Sequence, residues 1–345
     1  MNNHLYAYDF SDSGSWTIDA PADLSSVLNR LNKHIGVTMH EPETHEMTAP
    51  PQNKTVQTDI LEIAYAEFNP TGSRTAVLMH GWPDSPRTWL GVASAMADAG
   101  YRVLTPALRG FGGTRFLSPD TPRSGQLSVL GRDLLGFMDA LNLQRPVLVG
   151  HDWGARAVSN ACGLRPGVAS HLVMISVGYG TSDPNQKLTY DQARRYWYHW
   201  YMATERGARS VREDGKAFAS EMWDTWSPAG WYDSADFDET ARAFENPDWA
   251  AIVLHSYRQR WGNAPAYADY ADDDAKLNPA PQLDVPTLVI HGGSDFCSLP
   301  EMSAGKEKFF SNRYQRVVID SAGHFPQKES PQRVADEILS FCKTT

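Results

Sequence analysis

Three residues of this chain have the types that displacement by a carboxylate followed by water attack needs, and each follows an apolar run. Asp152 stands in Gly150-His151-Asp152-Trp153-Gly154, directly after PVLVG and ahead of a stretch of helical character. Flanking glycines permit a sharp strand-to-helix turn that pushes the middle side chain out of the fold. The new helix aims its free N–H groups and its dipole at the same point, so a carboxylate there stays ionised. A helix-capping aspartate has the same local context, so the catalytic reading rests on its companions. Asp295 follows PTLVIHGG, and His324 follows RVVID and the turn Ser321-Ala322-Gly323. The chain order is therefore nucleophile, acid, base: His324 to activate water, Asp295 to orient the ring and stabilise its charged form. Asp320 is the nearby decoy, at a strand end where turn capping accounts for it.

The nucleophile's type narrows the reaction. A carboxylate can displace a leaving group at an sp3 carbon and form an alkyl-enzyme ester. Water activated by a histidine then hydrolyses that ester at its carbonyl, within reach of backbone N–H donors. A lone strand-end histidine such as His80, in His80-Gly81-Trp82-Pro83, is read as structural.

Positioning these groups takes a sheet. The runs TAVLMH (75–80), YRVLTP (101–106), PVLVGHD (146–152), HLVMIS (171–176), PTLVIHG (286–292) and RVVID (316–320) are near-continuously apolar, as parallel strands covered on both faces are. Helical stretches at 86–98, 126–142, 153–164 and 331–343 alternate with them, which predicts a doubly wound, mostly parallel α/β sheet. The alternation stops between about 178 and 275, a helical stretch rich in Trp and Tyr, read as a cap inserted between core strands. The core is then 56–177 and 276–345. Residues 1–55 form an extension with one amphipathic helix, from Leu24, Val27, Leu28, Leu31 and Ile35 at helical spacing after Pro21.

Composition sets the outer limits. The 345 residues, 41% hydrophobic and 21% charged, suit a globular fold that needs no staples. The net charge of -10, without a basic cluster, argues against nucleic acid and anionic membranes as partners. The 3 cysteines, Cys162, Cys297 and Cys342, are scattered, with no disulfide or zinc spacing. No signal-peptide pattern and no apolar run of membrane length appear. The expectation is a cytoplasmic enzyme without cofactor or metal, with homo-oligomerisation left open.

The motifs HGWP (80–83), LRGFGGT (108–114), GHDWG (150–154), GGSD (292–295) and AGHF (322–325) together resemble the epoxide hydrolases of the α/β-hydrolase superfamily, over about residues 56–345. Haloalkane dehalogenases are related. The resemblance implies that the backbone N–H groups of Trp82 and Trp153 form the oxyanion hole, with a cis bond between Trp82 and Pro83. It also implies two cap tyrosines that protonate the opening epoxide. Tyr198, in Tyr198-His199-Trp200-Tyr201, takes one position, with Tyr201 or Tyr196 as the competing assignment. Tyr257, in Ser256-Tyr257-Arg258, takes the other. Tyr201 and Trp200 are candidate substrate contacts, whereas most other cap aromatics are read as packing.

A departing halide needs only N–H donors, and the Trp153 indole could supply one. Trp82, and Trp153 where fluoroacetate dehalogenases carry arginine, both favour the epoxide. The implied reaction is hydrolysis of a small apolar epoxide to a vicinal diol. Alternatives are a haloalkane or haloacid dehalogenase, a biosynthetic enzyme that opens epoxides into rings, and a non-catalytic ligand-binding homologue.

Overall fold

The structure is a computed structural model describing residues 50–181 and 187–343; the amphipathic helix expected within 1–55 lies outside the described residues. Among the described residues nine strands make one sheet: β1 (Gln52–Gln57), β2 (Leu61–Phe68), β3 (Arg74–Met79), β4 (Tyr101–Pro106), β5 (Arg115–Phe116), β6 (Val147–His151), β7 (His171–Ile175), β8 (Thr287–Gly292) and β9 (Tyr314–Ile319). Their order is β1-β2-β4-β3-β6-β7-β8-β9, with β5 beside β2. Strands β4, β3, β6, β7, β8 and β9 pair in parallel. β2 runs antiparallel to β1, β4 and β5.

The apolar runs pick out the six parallel strands and miss the antiparallel three. β6, β7 and β8 are buried at every position, which is why they read as unbroken apolar runs. β1 is the polar edge strand QNKTVQ, and β2 alternates between buried and half-buried, so neither carries that signal. The boundary expected before residue 56 consequently falls inside β1.

Two buried clusters cover the two faces of the sheet. Helices Leu90–Asp98 and Pro331–Lys343 pack against one face. In the second, Val334, Ala335, Ile338, Phe341 and Cys342 form its buried stripe, recurring at helical spacing. Helices Leu127–Ala140 and Trp153–Leu164 cover the other face. The chain leaves β3 toward one face and β6 toward the other, although the two strands are neighbours. A crevice opens at the carboxyl ends of such a pair, at the topological switch point. The segments carrying Trp82 and Asp152 both start there.

Between β7 and β8 lie helices Tyr190–Arg195, Trp197–Ala203, Glu205–Glu213, Gly215–Trp226, Ser234–Ala241, Trp249–Arg260 and Ala271–Leu277, with no named strand among the described residues. Several begin at side-chain caps: Thr189, Thr204, Asp214 and Asp233 each accept from a backbone N–H in the first turn. No helix among the described residues is long and apolar enough to cross a membrane.

Candidate active site

Asp152 sits between β6 and the Trp153–Leu164 helix with φ 49° and ψ -113°, a region costly for a residue with a Cβ. Two glycines make the turn possible. A Cβ on Gly150 would lie 2.1 Å from the Gly154 carbonyl oxygen, and one on Gly154 would lie 1.9 Å from that of Met79. The turn is held by Asp152 N–H donating to the Ile175 carbonyl at 3.2 Å.

The Trp82 N–H donates to Asp152 Oδ1 at 2.9 Å. The Trp82–Pro83 peptide is cis, and the ring of Trp82 is fully buried. Trp153 opens the helix, where the first N–H groups have no intrahelical acceptor. A carbonyl formed at Asp152 would thus meet Trp82 N–H and the start of a helix. His80 is tied down at both nitrogens: Nδ1 donates to Gly81 O at 2.9 Å, and Nε2 accepts from Leu108 N–H at 3.1 Å. Burial lowers its pKa to about 4, so it stays neutral and structural.

His324 Nδ1 lies 2.9 Å from Asp295 Oδ2. The carboxylate can only accept, so Nδ1 carries the proton and Nε2 presents its lone pair. Nε2 is buried and has no hydrogen-bond partner among the described residues. Asp295 Oδ1 accepts from Cys297 N–H at 2.9 Å and Ser298 N–H at 2.8 Å. Burial alone would raise the Asp295 pKa, but the His324 charge and the hydrogen bonds from His291 and His324 hold it well below the usual carboxylate range. Burial acts the opposite way on His324, and the charges of Asp295 and Asp152 outweigh it, so its pKa is raised. Asp320 is exposed, whereas Asp295 and His324 are buried.

Tyr198 and Tyr257 both pack on Trp82, with ring centres 5.5 Å and 5.0 Å from it. Their own rings meet edge to face at 5.4 Å. Tyr257 Oη accepts from the Trp153 indole N–H at 3.2 Å, and Tyr198 Oη lies 3.5 Å from Cys297 Sγ. Burial, with further contributions that include the Asp152 charge, raises both phenols well above their ordinary range. Both therefore remain protonated and able to donate. Tyr196 instead stacks on His199 at 4.4 Å and points its hydroxyl at Met302.

The structure does not bring Trp200 and Tyr201 to this group. Trp200 is 38% exposed, donates to Ala193 O and packs on Trp261. Tyr201 touches Trp197 and Phe218, one ring removed from Trp82. The Trp197–Ala203 helix buries Tyr198 and Met202 at i and i+4, and Trp200 falls on its opposite side.

Sequence reasoning missed a clasp around His324. Glu329 accepts from Gly323 N–H at 2.6 Å, Phe325 N–H at 2.9 Å and Ser227 Oγ–H at 2.7 Å. Ser227 Oγ in turn accepts from His324 N–H at 2.8 Å. The carbonyl of His324 accepts from Ser176 Oγ and His151 Nε2. The backbone on both sides of His324 is thereby fixed. His291, whose Nε2 lies 3.3 Å from Asp295 Oδ2, was also missed, though it ends the strand run that points to Asp295.

Comparisons with known proteins agree with this architecture. The α/β hydrolase fold family model matches residues 76–331. The chain is 26% identical over 323 residues to Epoxide hydrolase A of Mycobacterium tuberculosis, covering 84% of this chain and 97% of that protein. It is 36% identical over 298 residues to Epoxide hydrolase 3 of Siraitia grosvenorii, covering 77% and 90%. Among solved structures, a Klebsiella pneumoniae protein provisionally called an epoxide hydrolase superposes with a TM-score of 0.80 at 34% identity, covering 84% of this chain and 97% of that one. The turn at Asp152, the sheet that carries it and these likenesses lead to one assignment: this chain belongs to the α/β-hydrolase family, as an epoxide hydrolase-like hydrolase.

Proposed function

We propose that this protein hydrolyses an epoxide to a vicinal diol through an alkyl ester on Asp152, under a cap formed by residues 178–275. An Asp152 oxygen attacks a ring carbon, the C–O bond breaks, and Tyr198 or Tyr257 gives its proton to the leaving oxygen. Water then attacks Asp152 Cγ while His324 Nε2 takes its proton, and Asp295 steadies the imidazolium. Trp82 and Trp153 N–H groups hold the tetrahedral oxyanion. Collapse releases the diol and the carboxylate, and the His324 proton returns to the tyrosinate.

The pair of buried, protonated phenols packed on Trp82 carries this reading. An alkoxide leaving group needs a proton donor, and a halide does not. The dehalogenase reading would use the Trp153 indole N–H, which already donates to Tyr257.

The test is a panel of aryl and alkyl epoxides beside haloalkanes and haloacids, with Asp152→Ala as control. Diol formation that the control loses is the expected result. Halide release without diol would move the protein to the dehalogenases. Diol formation by Asp152→Ala at the wild-type rate would overturn the mechanism.

A further inference from the structure

A chamber of about 530 Å³ takes no part in the mechanism above. Its wall carries two guanidinium groups, Arg156 and Arg260. Arg156 stands one helical turn after Asp152, and its N–H donates to the Asp152 carbonyl. Arg260 comes from the same Trp249–Arg260 helix as Tyr257, and its guanidinium lies 5.0 Å from the centre of the Tyr257 ring.

Neither arginine has an ion-pair partner among the described residues. Among the described residues, Arg156 donates only to neutral oxygens, the Gly178 carbonyl at 3.2 Å and Thr181 Oγ1 at 2.6 Å. The Nε of Arg260 is buried without a hydrogen-bond partner, as is the Oγ of Ser128, a residue 3% exposed on the same wall. One carboxylate also lines the chamber, Asp274, and its Oδ2 accepts from Gln126 Nε2 at 2.6 Å. Among the described residues, the two cations therefore share the chamber wall with a single acid. Burial, and then the Arg260 charge, lower the Arg156 pKa to about 10, so Arg156 remains charged near neutrality.

Half-buried charges without partners carry part of the desolvation cost, and the usual compensation is an anion with matching geometry. Guanidinium pairs suit a carboxylate, which accepts two parallel N–H bonds. The space also suits an organic molecule rather than a bare ion. We infer that the chamber lined by Arg156, Arg260 and Ser128 is an anion subsite that holds the carboxylate end of the substrate, whose epoxide end reaches Asp152. This deepens, and rests on, the epoxide-hydrolysing reading. It makes the substrate class an epoxide carrying an acid tail, apolar at the reacting carbons and anionic at the other end.

The first arm of the test reads binding without turnover. 4-Phenylbutyrate and its neutral amide are titrated by calorimetry into the full chain and into Arg156→Gln and Arg260→Gln, each checked for an unchanged melting profile. Charge-assisted bonds predict that the wild type prefers the acid by roughly tenfold to a hundredfold, and that either variant loses most of that preference. Equal affinity for acid and amide overturns the subsite. The second arm compares kcat/KM for an epoxide with a terminal carboxylate and for its methyl ester. A preference for the acid that collapses in Arg156→Gln, with 4-phenylbutyrate competing against the epoxide, is the expected result. Turnover of both epoxides at equal efficiency overturns the substrate assignment while leaving epoxide hydrolysis intact. Selective binding of the acid with no diol from either compound upholds the anion site and overturns its epoxide substrate, which places the failure in the hydrolase reading.

Discussion

Replacing Glu329 by Gln exchanges one oxygen for an NH2 group and leaves the side chain's shape unchanged. The carboxylate takes three hydrogen bonds, from Gly323 N–H, Phe325 N–H and Ser227 Oγ–H, and Ser227 itself holds His324 N–H. If the amide oxygen stays at Oε1, the NH2 group meets the Gly323 N–H, donor against donor. A hydrogen bond to a charged partner contributes about 1.5–3 kcal/mol, so the fold should lose about 2 kcal/mol. The larger effect is on His324, the base of the proposed mechanism, because a shift of about 1 Å at a catalytic group can cost up to roughly a hundredfold in rate. The loss should be confined to one step. In the proposed mechanism, formation of the ester uses Asp152, Trp82 and the two tyrosines, none of them on the His324 loop. Stopped-flow tryptophan fluorescence separates the steps, since Trp226 packs 4.9 Å from the His324 ring. We expect ester formation to stay within about twofold of the wild-type rate and ester hydrolysis to fall at least about tenfold, so that the ester accumulates. An unchanged kcat in a destabilised variant would refute the reasoning. Equal slowing of both steps would refute it too, because the clasp would then support the whole site.

Two further predictions concern proton donation and stability. Tyr198→Phe and Tyr257→Phe should each lower the rate of ester formation by about a hundredfold, the lower range for general-acid catalysis, and leave ester hydrolysis in place; single-turnover kinetics would read this. Equal losses from Tyr196→Phe would contradict the assignment. Asp84 is buried next to Pro83, and burial raises its pKa from 3.8 to about 7, against the opposing Lys328 charge. The folded value exceeds the unfolded one, so this contribution is full below about pH 4 and is lost as pH rises through about 7. Asp84→Asn removes the titration. The fall in unfolding free energy between about pH 5 and about pH 8 should therefore shrink by about 2–3 kcal/mol in urea melts. An unchanged pH dependence would show that Asp84 does not titrate there.

The parts legible in the sequence are those whose physics is local. A strand covered on both faces must be apolar throughout, so β3, β4, β6, β7 and β8 stand out, and the half-exposed edge strand β9 is legible only through its short run Val317-Val318-Ile319; with them come the turns that carry Asp152, Asp295 and His324. An edge strand such as β1 has only one partner and shows little hydrophobic pattern. The cap tyrosines depend on which face of a short helix turns inward: Tyr198 is buried, while Trp200 two residues later is not. No periodicity reading of seven aromatic-rich residues separates these. The Ser227–Glu329 bond joins residues 102 apart through two commonplace side chains, and neither carries a sequence signal. Arg156 and Arg260 likewise carry no sequence signal, and only the fold brings them to the wall of one chamber.

The most direct measurement is intact-mass analysis of His324→Gln incubated with pooled epoxides and haloalkanes. Removing the base should leave Asp152 able to attack and the resulting ester unable to hydrolyse. The account predicts a mass gain equal to a whole epoxide, located by peptide mapping at Asp152, with nothing lost from the substrate. A gain equal to a haloalkane minus its hydrogen halide would contradict the epoxide chemistry. No adduct with any compound, from a variant that remains folded, would contradict the Asp152 ester itself.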